Sequence, residues 1–312
     1  MGERGLLDLI IARLPGLSFR EKICLCESLD VERDLVRRPD IEALIGRKLA
    51  SGWDIDLIRM LAERDAHTAN FRGINWVSWQ STEYPPMLRE IYDPPVVLFF
   101  RGGLPNSEKP LVAMVGTRKP SPMATAQTFD VSRGLGRGGV SVVSGLALGI
   151  DAMAHRGNVE GGVPTFAVLG SGVDEVYPAS NRALARRVLE TGGALISEYP
   201  PGTSPRRWNF PARNRIISGL CRGVLIIEAP EKSGALITAR FALEQNRELW
   251  VASVGVKDEA MFDRRGTQRL AEDGAEIVYS ASDILEMWNV GTPRCRDSRG
   301  ASSLACSLGI TL

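Results

Sequence analysis

The chain has little of what metal and covalent chemistry are built from. Its 312 residues include two histidines, His67 and His155, and five cysteines, Cys24, Cys26, Cys221, Cys295 and Cys306. Two histidines exclude a histidine-rich metal site. An odd, scattered set of cysteines fits neither a disulfide framework nor a zinc ribbon. No cofactor or metal is expected, and the thiols read as those of a reduced, cytoplasmic protein. No apolar run approaches the ~18 residues that span a bilayer, so no membrane association is expected. The opening stretch MGERGLLDLIIARLPG is interrupted by Arg13 and has no small-residue cleavage site, which argues against a signal peptide. Neither sign of charge dominates. With 38 Lys and Arg against 37 Asp and Glu, the net charge is +1, and affinity for a polyanion has to come from local clustering.

Such clustering is present. Residues 206–215 read RRWNFPARNR, with four arginines, one Trp and one Phe in ten positions, and no acidic residue lies between Tyr199 and Ile227. Guanidinium forks bind phosphates, and flat rings give bases a surface to stack on. The stretch reads as a contact for single-stranded nucleic acid. The alternative reading is a solvated basic loop with two rings tucked into the core.

Periodicity divides the chain. Residues 1–72 carry apolar residues at helical spacing in LLDLIIARL, FREKICLCESL, IEALIGRKLA and DIDLIRMLAER, with a break at Pro15-Gly16. They form a small all-helical domain resembling helix-hairpin-helix or sterile-alpha-motif modules, or a plain helical packing unit. A linker rich in Trp, Ser and Pro is expected over 76–86. From Pro94 apolar runs alternate with helical segments. Strands are expected at 96–100, 111–115, 140–143, 165–169, 194–197, 223–227, 249–253 and 276–279, and helices at 122–137, 150–160, 181–191, 213–221, 234–247 and 266–273. Continuous apolar runs suit strands buried on both faces. The alternation predicts an α/β, Rossmann-like, doubly wound, mostly parallel sheet over 73–290, with ligands at the carboxyl ends of its strands. Residues 291–312 form a polar tail expected to be disordered.

Four strand ends carry small-residue turns. Gly116 permits a tight turn after 111–115, where Thr117 and the helix-opening amides can take an anion and Arg118 adds a fork donor. Its alternative is a plain strand–helix turn with an exposed arginine. Ser144, Gly145 and Gly149 form the second turn, which brings backbone amides near a phosphate. There Asp151 and His155 stand one helical turn apart, the spacing of an acid–base pair, but the preferred reading is a helix-orienting aspartate and an internally bonded histidine. Gly170-Ser171-Gly172 form the third, either close to a ligand or a loop without one. In the fourth, Asn214 and its arginines open a helix, Lys232 can reach a phosphate, and Ser233, before Gly234, or Thr238 can offer a hydroxyl. Glu228 resembles a ligand or base, or else orients a neighbouring arginine or amide. The segment 134–139, GLGRGG, spells G-x-G-x-x-G but closes a helix, so a dinucleotide site is rejected.

Taken together, YPPMLREIYDPPVVLFFRG, VGTR, SGLALGIDAMAH, SEYPPG, NFPARNRIISGL and EAPEKSGALITARFALEQNRE resemble the DprA/Smf family of DNA-processing proteins over about residues 84–279. The resemblance implies a Rossmann-like core that binds single-stranded DNA, a homodimer, loading of the recombinase RecA during natural transformation, and no catalysis. It implies phosphate contacts at Arg118, Arg207 and Lys232 and a base contact at Phe210. Arg213 and Arg215 fall in the family's Arg-Asn-Arg segment and are expected to grip phosphates together with Arg118, Arg207 and Lys232, and Ser144, Gly145 and Ala147 fall in its Ser-Gly-Leu-Ala turn. Two departures stand out: Leu148 replaces the family's arginine, and the tail after Val290 is too short and polar for the winged-helix domain that many members carry. The rival reading is a nucleotide-cleaving enzyme of the phosphoribohydrolase kind, with Glu228 or Glu198 as its acid or base. A third is a protein-interaction scaffold with a vestigial pocket.

Overall fold

The computed structural model describes residues 3–31, 34–35, 38–50, 52–257 and 261–290; the expected tail at 291–312 lies outside them. Four helices come first, α1 (Glu3–Arg13), α2 (Phe19–Ser28), α3 (Arg38–Ile45) and α4 (Ile55–Phe71). Local chemistry sets their ends. Gly16 supplies a positive φ of 72° after α1. Ser18 then opens α2 through a reciprocal capping box with Glu21, whose carboxylate accepts from the Ser18 amide at 2.6 Å.

The remainder runs β1 (Asn75–Ser78), α5 (Pro86–Arg89), β2 (Val97–Gly102), β3 (Leu111–Val115), α6 (Pro122–Arg137), β4 (Ser141–Ser144), α7 (Ile150–Glu160), β5 (Phe166–Val168), α8 (Arg182–Glu190), β6 (Ala194–Ser197), α9 (Asn209–Gly219), β7 (Gly223–Ile226), α10 (Gly234–Glu244), β8 (Glu248–Ala252), α11 (Ser253–Val256), α12 (Arg265–Glu272), β9 (Glu276–Val278) and α13 (Ala281–Met287). The sheet order is β1-β2-β6-β5-β4-β3-β7-β8-β9. From β6 to β9 every pairing is parallel. At the other edge β2 runs antiparallel to both β1 and β6. The expected doubly wound architecture is the observed one.

Burial on both faces explains the apolar runs. Along β3, Leu111, Ala113 and Val115 join one core with Ile216, Ile217 and Val224, while Val112 and Met114 join the other with Val131, Leu135 and Trp250. This is the two-residue alternation of a strand covered on each side. Two expectations need correction. The linker contains a strand, β1, which pairs with β2 from Asn75↔Phe100 to Ser78↔Val97. Helix α9 begins at Asn209 rather than at 213, because Pro211 falls in its first turn, where the missing amide costs nothing. The GLGRGG segment does close α6: Gly138 is the C-cap and Gly139 has φ 83°.

The helices of 1–72 pack into the same interior. Leu7, Ile10, Ile11, Leu25 and Ile41 share a core with Val97, Phe99, Ala167, Leu169 and Leu195 of the sheet. Arg72, one residue past α4, forms an ion pair with Asp174.

Candidate nucleic-acid interface

Chain order dictates where a ligand can sit. Strands β3 to β6 are laid down one way across the sheet. The chain then crosses back through α9 and continues from β7 on the other side of β3. The turns after β3 and β7 therefore diverge and leave a crevice, the switch point at which open α/β sheets bind ligands. A groove of about 1030 Å³ lies there, lined by residues 115–119 after β3, Ala147 and Asp151 after β4, Tyr177 after β5, the start of α9, and the β7–α10 turn with Lys232, Ser233 and Gly234.

The floor is held by buried polar contacts. A Cβ on Gly116 would lie 2.7 Å from Ile150 Cγ1, so close packing keeps this position bare. The Thr117 amide donates to the Glu228 carbonyl at 2.7 Å. The Glu228 side chain accepts from the Ser121 amide and from Arg264 Nε, each at 2.7 Å. It is thus the orienting residue of the milder reading, with its carboxylate committed. Asp151 is buried and takes the Gly145 and Ala147 amides at 3.1 and 3.4 Å. Burial pushes its carboxyl up, against the pull of Arg213. His155 Nδ1 pairs with Thr165 Oγ1 at 2.8 Å, and burial holds its pKa down at about 3. Asp151 and His155 are structural, as expected.

The rim is different. Arg118, Lys119, Arg207 and Lys232 are exposed and form no ion pair among the described residues. The acids nearby have a cation of their own: Asp263 bonds Arg265 at 2.9 Å, which holds its carboxyl low, and Glu231 lies 3.9 Å from the same guanidinium. Phe210 forms one wall. Its ring packs on Gly170, where a Cβ would come within 3.0 Å of it. The Tyr177 ring lies 5.6 Å away and tilted by 41°, and the Arg118 guanidinium carbon lies 5.8 Å from the Phe210 centroid. The stretch is therefore neither a free loop nor a core segment, but the opening of a helix at the groove's edge.

Eleven of the expected residues line this groove: Gly116, Thr117, Arg118, Ala147, Arg207, Phe210, Arg213, Asn214, Lys232, Ser233 and Gly234. The others are placed elsewhere. Ser144 is buried and donates to the Met114 carbonyl at 2.6 Å. Gly145 borders a side recess of about 50 Å³ with Leu148 and Tyr177. Gly170 and Gly172 are buried supports: the Gly170 carbonyl accepts from Asn209 Nδ2 at 2.9 Å, and the Gly172 amide donates to Thr203 at 2.8 Å.

Two arginines correct the expectation of phosphate grips. Arg215 is 2% exposed. Its fork bonds Glu198 at 2.7 and 2.6 Å, its Nε reaches Asp93 at 3.0 Å, and its plane lies 4.6 Å from the Phe19 ring of α2. Neither Arg215 nor any of these partners lines the groove. Arg213 contributes to the groove wall but is 4% exposed. Its guanidinium lies flat over Gly145 and donates to the Val168 carbonyl. Burial lowers its pKa to about 10, partly offset by Asp151. Among the groove residues that escaped the sequence reading are Tyr177 and Lys119. The proximity of Tyr177-Pro178 to the Gly170-Ser171-Gly172 turn was the available signal.

The sequence signature of the family described as DNA recombination-mediator protein A matches residues 75–289. The chain belongs to this family. It is 44% identical over 207 residues to protein Smf of Synechocystis, covering 65% of this chain and 51% of that protein, so the match spans about half of that relative. It is 40% identical over 218 residues to the DNA processing protein DprA of Bacillus subtilis, covering 69% of this chain and 71% of the other. Among solved structures, DprA of Streptococcus pneumoniae superposes with a TM-score of 0.71 at 32% identity, covering 92% of this chain and 98% of that one. The DNA processing protein A of Helicobacter pylori, solved to describe its single-stranded DNA binding mode, gives a TM-score of 0.60 at 27% identity, covering 69% of this chain and 95% of that one. The match of 75–289 begins at β1 and leaves out the four N-terminal helices, whereas the S. pneumoniae superposition extends over 92% of the chain.

Proposed function

We propose that the groove binds single-stranded DNA, with phosphates held by Arg118, Lys119, Arg207 and Lys232 and a base stacked on Phe210. One observation carries this reading: the unpaired cations and the ring line one groove, while the acids beneath and beside them have partners of their own. Phosphates displace counterions from such a rim, and any base can stack on a ring. A duplex keeps its bases stacked inside and cannot offer one to Phe210. The test is fluorescence anisotropy with a labelled single strand and its duplex across a salt series. Tighter single-strand binding with a steep salt dependence is expected, and equal binding of both forms would refute the reading.

The finer reading follows the family. The chain acts as a cytoplasmic homodimer that loads the RecA recombinase onto single strands in natural transformation, and it does so as a binder rather than an enzyme. Two acids nominated for the rival, glycosidic-cleaving reading are committed elsewhere, Glu228 to Arg264 and Ser121 and Glu198 to Arg215. Release of free base from nucleotide monophosphates would overturn the non-catalytic reading. Loss of RecA loading in groove variants that still dimerise is the expected result for the mediator role.

A further inference from the structure

Trp208 lies two residues before Phe210, outside the groove, and is 66% exposed. A single exposed aromatic ring is ordinary on a protein surface. Three further observations set this one apart. The Arg206 guanidinium carbon stands 5.5 Å from its ring, repeating the Arg118–Phe210 pairing at 5.8 Å inside the groove. Arg206, Arg207 and Trp208 are all exposed, and neither arginine forms an ion pair among the described residues. The ring is also held on a fixed turn. Trp208 is the N-cap of α9, the Asn209 amide donates to the Arg206 carbonyl at 3.0 Å, and the preceding loop is tied down by the Gly172 amide on the Thr203 carbonyl and the Gly202 amide on Asp174.

On a helix, two residues correspond to roughly 200° of rotation. Trp208 and Phe210 therefore lie on opposite sides of the first turn of α9, one facing outward and one facing the groove, with Arg207 between them on the rim. We infer that Trp208 and Arg206 form a second base platform, so that the strand leaves the groove across the N-terminus of α9. One base stacks on Phe210, the phosphate that follows passes Arg207, and the next accessible base stacks on Trp208. This inference rests on the single-strand reading of the groove and extends its path. The occupant is a nucleic-acid base rather than a protein side chain, because the patch is cationic and continues directly from the groove.

The test compares the wild-type chain with Trp208→Ala and Trp208→Phe on oligothymidylates from about 4 to about 16 nucleotides. Trp208→Ala should weaken binding of the long oligonucleotides about five-fold or more and leave the shortest, which fit within the groove, unchanged. Trp208→Phe should retain most of the affinity. A long oligonucleotide carrying 5-iodouracil should crosslink to the peptide containing Trp208. Unchanged binding at every length, an equal loss at every length, or a role confined to a protein partner would each overturn this inference. A wild-type chain that binds no oligonucleotide would overturn the groove reading as well, so the two failures are distinguishable.

Discussion

Helix α9 and the segment leading into it carry two sets of arginines put to opposite uses. Arg206 and Arg207, before the first turn, are exposed and unpaired; Arg213 and Arg215, six to nine residues on, are 4% and 2% exposed and enclosed by carbonyls and carboxylates. The residue type is the same, so the partners decide. A guanidinium that already has Glu198 and Asp93 around it fixes architecture, whereas one facing solvent remains available to a phosphate.

Substitutions can break this contrast at either end. The largest effect is expected from Arg215→Ala, which leaves Glu198 and Asp93 uncompensated. Stability should fall by about 3–5 kcal/mol in denaturant unfolding, whereas Arg207→Ala should shift it by less than about 0.5 kcal/mol. Comparable losses would erase the distinction. The buried side also predicts a pH dependence. Burial lowers the His155 pKa from 6.5 to about 3, so the unfolded chain takes up this proton first as pH falls. The contribution is fully present above pH 6.5 and declines by about 1.4 kcal/mol per unit below it. Denaturation curves at pH 7 and pH 5 should show this loss, and His155→Gln should flatten it.

On the exposed side, Phe210→Ala should cost about 1–3 kcal/mol of single-strand affinity while leaving the salt slope unchanged. An equal loss for duplex would count against stacking. Arg118→Ala and Lys232→Ala should each reduce that slope by about 0.7, read from anisotropy titrations between low and moderate salt. The smallest effect is expected from Leu148→Arg, which places a cation beside Tyr177 and the recess. A gain of a few-fold in affinity with a slope steeper by about 0.7 would assign that position to a phosphate.

The strands of the parallel sheet were legible because each is an apolar run covered on both faces. β1 was not. It has four residues with a single buried one, Val77, and its existence depends on a partner strand that begins only at Val97. The start of α9 was hidden by Pro211, which reads as a breaker until it is placed in a first turn. At the site, the glycine turns and the exposed cations could be located from spacing, since both follow directly from strand ends. The burial of Arg215 could not. Its carboxylates lie 17 and 122 positions away in sequence, and only the folded chain brings Glu198 and Asp93 to it. Tyr177 escaped for a related reason: its proximity to Phe210 joins the loop after β5 to the first turn of α9.

The ion pair between Arg72 and Asp174 has a practical consequence. Asp174 also receives the Gly202 amide at 3.0 Å, so the last residue before the apparent domain boundary is fastened to the loop that presents Arg206, Arg207 and Trp208. Cutting the chain after Arg72 would strip Val97, Phe99 and Leu195 of their apolar cover, remove the Arg72 contact from Asp174 and leave that loop to its own Gly202 and Thr203 contacts. The helical front end thus serves as a brace for the edge proposed to meet DNA, and a shortened protein would be a poor stand-in for the whole.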